Sequence, residues 1–363
     1  MASNSFGKIF RITTFGESHG KVFGVVIDGC PSGLDLAEED VNAYLALRKP
    51  NLNAYVSPRQ ESDQVEILSG VFQGKTTSTT LAMLIKNTDF DSSKYEPIKN
   101  ILRPGHANFT YYEKYGIFDY RGGGRASARE TACRVAAGAV AMKILAKKGI
   151  KTAAFIKSVG TITASEISKN IEGLRTTTYL SPVYCPDEKI AQLIMAKLLE
   201  IKKAKDSIGG VVEFRVEGLP VGLGDPIYSK LEANLASAML SIPACKGFEI
   251  GSGFAAAKMT GSEHNDRFIS LNDKITTETN NAGGILGGIS TGLPLVGRVA
   301  FKPTPSIGQS QKTTDINGAA CTFELPEGSR HDLCVAIRAV PVVEAMCALV
   351  IADAILYNNA ISI

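Results

Sequence analysis

Three of the four histidines in the sequence lie in short polar loops that also carry glycine or arginine. His19 lies in the loop GESHG, His106 ends the loop RPGH, and His331 lies in the loop RHD. Because the ordinary imidazole pKa is close to neutral, these settings predict proton transfer, although each histidine taken singly is typical of an ordinary loop. No HxH or HExxH spacing is present, so we do not expect a metal site.

Basic side chains recur in or near the same loops. Arginine presents a planar fork that binds a carboxylate or a phosphate through two hydrogen bonds. Several arginines together therefore predict a ligand with several negative charges. The basic residues concerned are Arg48, Arg103, Arg125, Arg129, Lys302 and Arg330.

A glycine loop at residues 122–124 stands shortly before an apolar segment at 132–145. Ser127 precedes Glu130 by three residues, a spacing that predicts a capping box at the start of a helix. A helix that is apolar on every face is buried, and its start would direct free N–H groups toward an anion. A buried helix behind a glycine-rich turn, without a ligand, is the alternative.

A second glycine tract, NNAGGILGGISTG at 280–292, leads through a strand into KPTPS at 302–306. Such a tract would let the backbone approach a flat or anionic ligand closely. The segment GSGFAA at 251–256 matches a relaxed dinucleotide fingerprint. Because no regular alternation of strands and helices surrounds it, we interpret it as a turn packed on backbone.

Composition limits the class of protein. The 363 residues are 44% hydrophobic and 21% charged, with a net charge of +3. We therefore expect a globular protein that is not a dedicated binder of nucleic acid. No long uninterrupted apolar run is present, so we expect no membrane span. Seven scattered cysteines without a CxxC pair favour reduced thiols and the cytoplasm.

Hydrophobic patterning predicts the main elements of secondary structure. We expect strands at 9–15, 21–28, 64–67, 81–85 and 151–159, and helices at 37–47, 132–145, 188–203, 228–240 and 342–357.

Parts of the sequence echo each other in the same order. VVIDGCPSGL at 25–34 is similar to FRVEGLPVGL at 214–223. The turn RPGH at 103–106 and the apolar helix at 132–145 are similar to residues 330–357. We infer one domain with two similar halves, about 1–150 and 205–363, related by a pseudo-two-fold axis. Short turns and long connections favour antiparallel sheets. The predicted fold is α+β, a layered β-α-β sandwich with a central pair of long helices.

Six blocks of the sequence resemble the chorismate synthase family. They are GESHG at 16–20, RPGHA at 103–107, YRGGGRASARETACRVAAGA at 120–139, NNAGGILGGISTG at 280–292, FKPTPS at 301–306 and RHDLC…RAVPVVEA at 330–345. The resemblance implies conversion of 5-enolpyruvylshikimate 3-phosphate to chorismate and phosphate by anti-1,4-elimination, the last common step of the shikimate pathway. It also implies a need for reduced FMN, NADPH as a reductant in some members, and a homotetramer.

The resemblance implies roles for individual residues. His19 would protonate the departing phosphate, His106 would manage protonation of the reduced flavin, and Ser18 and Asp332 resemble a proton relay. The substrate would be held by Arg48, Arg103 and Arg129. The residues that match FMN contacts are Arg125, Ala126, Ser127, Pro243, Ala244, Gly287, Lys302, Pro303, Thr304, Pro305, Ser306 and Arg330.

Two positions depart from the family pattern. Ala54 stands where relatives usually carry a second arginine, so one phosphate clamp is either missing or supplied by Lys49 or Arg59. Pro243 stands where relatives often have Asn or Gln. The alternatives are an oxidoreductase with net hydride transfer and a nucleic-acid-binding module. The lack of a credible dinucleotide fingerprint opposes the first, and the near-neutral charge opposes the second.

Overall fold

The computed structural model describes residues 3–49, 63–88, 92–165, 170–326 and 332–361. The predictions that concern Ala54, Arg59, Arg330 and His331 lie outside these residues.

Ten regular elements occupy the first half of the described chain. They are β1 (Ser5–Phe6), β2 (Arg11–Phe15), β3 (Val22–Asp28), α1 (Glu38–Arg48), β4 (Val65–Ser69), β5 (Val71–Phe72), β6 (Lys75–Thr76), β7 (Leu81–Lys86), α2 (Asn108–Tyr115) and α3 (Thr131–Lys147).

The second half follows almost directly. Its elements are β8 (Lys151–Val159), β9 (Ile162–Thr163), α4 (Ile171–Leu180), α5 (Glu188–Lys203), β10 (Gly210–Glu217), α6 (Leu231–Leu240), β11 (Cys245–Ile250), α7 (Gly261–His264), β12 (Phe268–Leu271), β13 (Lys274–Thr277), β14 (Ile285–Leu286), β15 (Ile289–Ser290), β16 (Leu295–Phe301), β17 (Gln311–Thr314), β18 (Ala320–Phe323) and α8 (Val335–Ile361).

Two five-stranded sheets form the outer parts of the core. Their strand orders are β1-β2-β3-β7-β4 and β11-β16-β10-β8-β9, and every pair within them is antiparallel. The middle strands bury alternate side chains, with Phe23, Val25 and Ile27 on β3 and Val212 and Phe214 on β10. This period of two matches a sheet with one face against a core.

The long helices α3 and α8 lie against each other between the sheets. Helix α3 packs on β3, and α8 packs on β8 and β10. A Cβ atom at Gly138 would come within 2.4 Å of the Ala345 Cβ, so this crossing requires a glycine. Helix α8 is long and apolar enough to cross a membrane by length and composition, but it is mostly buried in this core.

The order of elements in the first half is repeated in the second. The series β2, β3, α1, β4, β7, α3 corresponds to β8, β10, α6, β11, β16, α8, and the paired strands occupy equivalent places in the two sheets. The predicted α+β sandwich with a central helix pair is thus confirmed. The boundaries of the two halves, and their description as one domain, stay a prediction.

Two carboxylates on α8 fasten distant parts of the chain. Asp353 accepts hydrogen bonds from the backbone N–H groups of Lys8, Ile9 and Phe10 at 2.9, 2.7 and 2.9 Å. The buried Glu344 accepts from Arg175 Nε at 2.8 Å and from the Tyr179 hydroxyl at 2.6 Å. The central helix therefore holds the amino-terminal segment and α4 as well as the sheets.

Candidate active site

The turn that carries Ser18 and His19 joins β2 to β3 and is held by the end of β7. Asn87 donates from Nδ2 to the carbonyl oxygens of Glu17 and Gly20 at 3.2 and 2.7 Å. Both Ser18 and His19 are buried, and the His19 ring lies 5.2 Å from the ring of Tyr95. Asn87 thus holds the backbone of the turn, and the His19 ring packs near Tyr95.

The glycine loop lies between the two predicted catalytic histidines. Gly122 and Gly123 have φ values of 61° and 86°, in the region that favours glycine. A Cβ at Gly122 would lie 2.7 Å from His19 Cε1 and 2.8 Å from Ser18 Oγ. A Cβ at Gly123 would lie 2.9 Å from His106 Cε1. The fold therefore brings His19, Ser18 and His106 together around this loop.

His106 is held in the neutral form by its surroundings. Arg103 Nη2 lies 3.2 Å from both imidazole nitrogens. Burial, together with the positive charges of Arg103 and Lys302, lowers the pKa of His106 to about 3. Near pH 7 the ring can accept or share a hydrogen bond, but it does not keep a second proton.

Residues 302–306 lie directly beside the His106 turn. They follow β16, and Pro243 and Ala244 precede its neighbour β11, so antiparallel pairing brings the two segments together. Lys302 donates from its backbone N–H to the Ala244 carbonyl at 3.0 Å and from Nζ to the Gly105 carbonyl at 2.6 Å. Most of the predicted FMN contacts in the second half thus form one surface against the first half.

The start of α3 differs from its predicted form. Ser127 Oγ accepts from the Arg129 backbone N–H at 3.4 Å, and a short 3₁₀ turn, Ala128–Glu130, precedes the α-helix. The Ser127 N–H donates to the Gly124 carbonyl at 3.3 Å and Glu130 pairs with Arg134 at 2.8 Å, so the reciprocal bond of a capping box is not formed. The competing partner Arg134, one helical turn ahead, accounts for this difference.

Arg125 fastens the glycine loop to β2. Its guanidinium donates to the Thr14 carbonyl and hydroxyl oxygens at 3.2 and 2.8 Å, and to the Gly16 carbonyl at 3.2 Å. The side chain thus binds the backbone that leads into the His19 turn.

Two of the predicted substrate arginines share one buried carboxylate. Asp63 is 1% exposed, and its two oxygens lie 3.4 Å from Arg48 Nη1 and 2.5 Å from Arg129 Nη1. Burial opposes ionisation of Asp63, but the attraction of both guanidinium groups outweighs it and lowers the carboxyl pKa. Burial also lowers the pKa of Arg48 to about 9.

These two arginines have further partners near the reacting groups. Arg48 donates to Thr131 Oγ1 at 2.9 Å and to the Ala128 carbonyl at 2.8 Å. Arg129 donates from Nε to Asn87 Oδ1 at 3.2 Å and lies 4.4 Å from the centre of the Phe23 ring. Through Asn87, Arg129 is connected to the turn that carries His19.

Asp332 pairs with an arginine that we did not predict as a site residue. Arg338, on the first turns of α8, donates to Asp332 Oδ2 at 3.2 Å. Its positive charge also lowers the pKa of Arg48, so the two guanidinium groups are close. Asp63, Asn87 and Arg338 are the residues that sequence reasoning missed. An arginine cluster needs a counter-ion, and that was the one signal pointing to Asp63.

Gly287 lies apart from the residues around His106 and Lys302. It lies in the turn between β14 and β15, which packs on the start of α6 through the Leu231 N–H and the Gly288 carbonyl at 2.9 Å. This hairpin precedes β16, whereas Lys302 follows that strand. Seven strand residues separate the two ends by roughly 20 Å.

The other glycine-rich segment behaves as interpreted. A Cβ at Gly251 would come within 2.1 Å of the Asn281 carbonyl oxygen, which shows a turn packed on backbone. Within the ranges that the structure describes, no three His, Cys, Asp or Glu side chains cluster as metal ligands.

Comparison with known proteins gives one consistent result. The family model described as "Chorismate synthase" matches residues 10–356. The chain is 57% identical to the chorismate synthase of Protochlamydia amoebophila over 363 residues, covering 99% of both chains. It is 50% identical to that of Methanosarcina mazei over 362 residues, covering 100% of this chain and 98% of the relative. A crystal structure of chorismate synthase superimposes with a TM-score of 0.78 and 32% identity, over 97% of this chain and 93% of that one.

Proposed function

This chain belongs to the chorismate synthase family, whose members form chorismate in the shikimate pathway. We propose that it uses reduced FMN. The proposed reaction is the anti-1,4-elimination of phosphate and a ring proton from 5-enolpyruvylshikimate 3-phosphate. The observation that carries the proposal is the convergence of His19, Ser18 and His106 on the glycine loop, beside residues 302–306.

The substrate explains the charges around the loop. It carries two carboxylates and a phosphate, and an arginine binds each such group best through two parallel hydrogen bonds. Arg103, Arg48 and Arg129 supply guanidinium groups on two sides of the His19 and His106 pair. We propose that they hold the anionic groups, and that Lys49 or Arg59 supplies charge in place of the arginine absent at Ala54.

His19 and His106 have different tasks in this proposal. His19, buried beside Ser18, donates a proton to the oxygen of the departing phosphate. His106, whose pKa is about 3, stays neutral and offers a nitrogen lone pair beside the cofactor. Asp332, tied to Arg338, and Ser18 complete a route for protons.

The residues present fit FMN. Thr304 Oγ1 is buried and has no hydrogen-bond partner among the described residues, so a polar group of a ligand would satisfy it. Lys302 adds a cation, and Ala244 and Pro305 add apolar surface beside it. When bound, reduced FMN supplies electron density as phosphate leaves and recovers it as the proton is removed.

An anaerobic assay tests the function. The protein, chemically reduced FMN and 5-enolpyruvylshikimate 3-phosphate should together give equal amounts of chorismate and phosphate. No product under these conditions would overturn the proposal. The same mixture with oxidised FMN and NADPH measures whether the chain reduces its own flavin. Light scattering on the purified protein tests the homotetramer that the resemblance implies.

Substitution of single histidines tests their roles. His19→Ala and His106→Ala should each lower kcat by about 10- to 10,000-fold if they act as acid–base groups. His264→Ala is the matched control, because His264 lies in α7, outside the site. Full activity of His106→Ala would remove that assignment.

The cofactor site has a separate test. Thr304→Val keeps the shape of the side chain and removes its hydroxyl. The loss of one hydrogen bond, about 0.5–1.5 kcal/mol, should weaken FMN binding by about 2- to 10-fold. Titration of oxidised FMN by fluorescence gives this value without catalysis, and unchanged affinity would contradict the role of Thr304.

A further inference from the structure

We propose that Asp63 is a positioning residue of the active site, whose carboxylate holds Arg48 and Arg129 in the arrangement that receives an anionic group of the substrate. The proposal rests on the function proposed above. It adds a residue to which the family resemblance gave no role.

The geometry of the cluster supports this role. One oxygen of Asp63 lies against Arg48 and the other against Arg129, so one carboxylate sets the separation of two guanidinium groups. Asp63 itself has a φ of 42°, a left-handed conformation that non-glycine residues adopt rarely and that is common at functional sites.

The cluster is connected to the reacting groups on two sides. Asn87 accepts from Arg129 and donates to both ends of the turn that carries His19. Arg48 is bound to the Ala128 carbonyl, one residue beyond Ser127 at the end of the glycine loop. A shift of either arginine would therefore reach the His19 turn or the start of α3.

Charge and burial favour a functional cluster over a purely structural one. Buried charged groups often stabilise a fold no more than well-packed apolar side chains of the same volume would. Two guanidinium groups and one carboxylate leave one net positive charge, which suits a single anionic group. The nearby Arg338 adds positive potential. When the site is empty, Asp63 balances one of the two positive charges. The remaining positive charge is available to an incoming phosphate or carboxylate.

Two substitutions separate charge from position. Asp63→Asn keeps the shape and removes the charge, whereas Asp63→Glu keeps the charge and moves it by one methylene group. Because a misplacement of 1 Å can lower a rate by about 100-fold, we expect both variants to lose about 10- to 100-fold in kcat. Asp63→Asn leaves the net charge of the cluster one unit higher. We therefore expect inorganic phosphate to inhibit it at a several-fold lower concentration than the parent protein.

The control is Asp35→Asn. Asp35 also lies between two cations, Lys75 at 2.6 Å and Lys147 at 3.5 Å, but this group is exposed and lies at the end of α3 opposite to the glycine loop. It should keep the parent kcat and the parent sensitivity to phosphate.

The outcomes are distinct. If the parent protein forms no chorismate, the proposed function fails. If the parent is active and Asp63→Glu has the parent kcat, Asp63 is a structural counter-ion only and the inference is wrong, even where Asp63→Asn does not fold. Loss of kcat in Asp63→Glu with an unchanged unfolding transition and unchanged FMN affinity supports the positioning role.

Discussion

Gly123→Ala tests whether the glycine loop sets the position of His106. Gly123 has a φ of 86°, and a Cβ there would lie 2.9 Å from His106 Cε1, where ordinary contacts are 3.4–4 Å. The imidazole must therefore move by about 0.5–1 Å. At about 100-fold in rate per 1 Å of misplacement, kcat should fall by roughly 10- to 100-fold.

The matched control for this change is Gly149→Ala. Gly149 follows α3 with a φ of 72°, and a Cβ there would meet nothing within 4 Å. Both substitutions force alanine into the left-handed region, at about 1–2 kcal/mol, and both restrict the unfolded chain equally. They should therefore lower the free energy of unfolding by similar amounts, while only Gly123→Ala affects catalysis.

The measurements are chemical unfolding and initial rates of chorismate formation under anaerobic conditions with saturating reduced FMN. Parent-like kcat in Gly123→Ala would refute the argument that this loop positions His106. Equal loss of kcat in Gly149→Ala would refute it as well, because strain alone would then explain the effect.

Three further predictions concern stability. The pKa of His106 is about 3 in the folded chain and ordinarily 6.5, so between those values only the unfolded chain takes up the proton. The free energy of unfolding should fall by up to about 1.4 kcal/mol per pH unit as the pH drops through that window, and denaturation of His106→Gln should lack this component. Gly138→Ala places a methyl group 2.4 Å from the Ala345 Cβ and should lower the free energy of unfolding by about 1–3 kcal/mol, measured by urea denaturation. Glu344→Ala removes the buried partner of Arg175 and should lower it by about 2–4 kcal/mol while kcat per folded molecule stays unchanged.

Much of the fold was predictable because hydrophobic patterns report burial directly. Strand β8 and helix α5 begin and end at the predicted residues, and the echo of β3 by β10 gave the repeated order of elements. Helix α8 was predicted to begin at 342 but begins at Val335, with Pro341 inside it. Burial of its apolar side chains between the sheets stabilises α8 by more than the hydrogen bond lost at Pro341 costs. The start was missed because this tertiary packing cannot be read from the local sequence around a proline.

The candidate site was predictable only in part. The histidines and the glycine loop stand out as unusual residues in polar loops, and the resemblance connected them. For Asp63 the sequence holds only the indirect signal that an arginine cluster needs a counter-ion, because Arg48 and Arg129 meet it only when β4, α1 and α3 pack together. Sequence blocks likewise grouped Gly287 with Lys302, whereas β16 separates them.

The bonds from Asp353 to the segment before β2 have a consequence for synthesis. Lys8 is bonded to a carboxylate that is synthesised 345 residues later, and the face of α3 that packs on α8 stays uncovered until α8 has been made. About 190 residues separate α3 from α8, and their synthesis takes roughly 10–40 s at about 5–20 residues per second. During that interval the nascent chain exposes hydrophobic surface, so its yield should depend on a chaperone that covers such surfaces during translation.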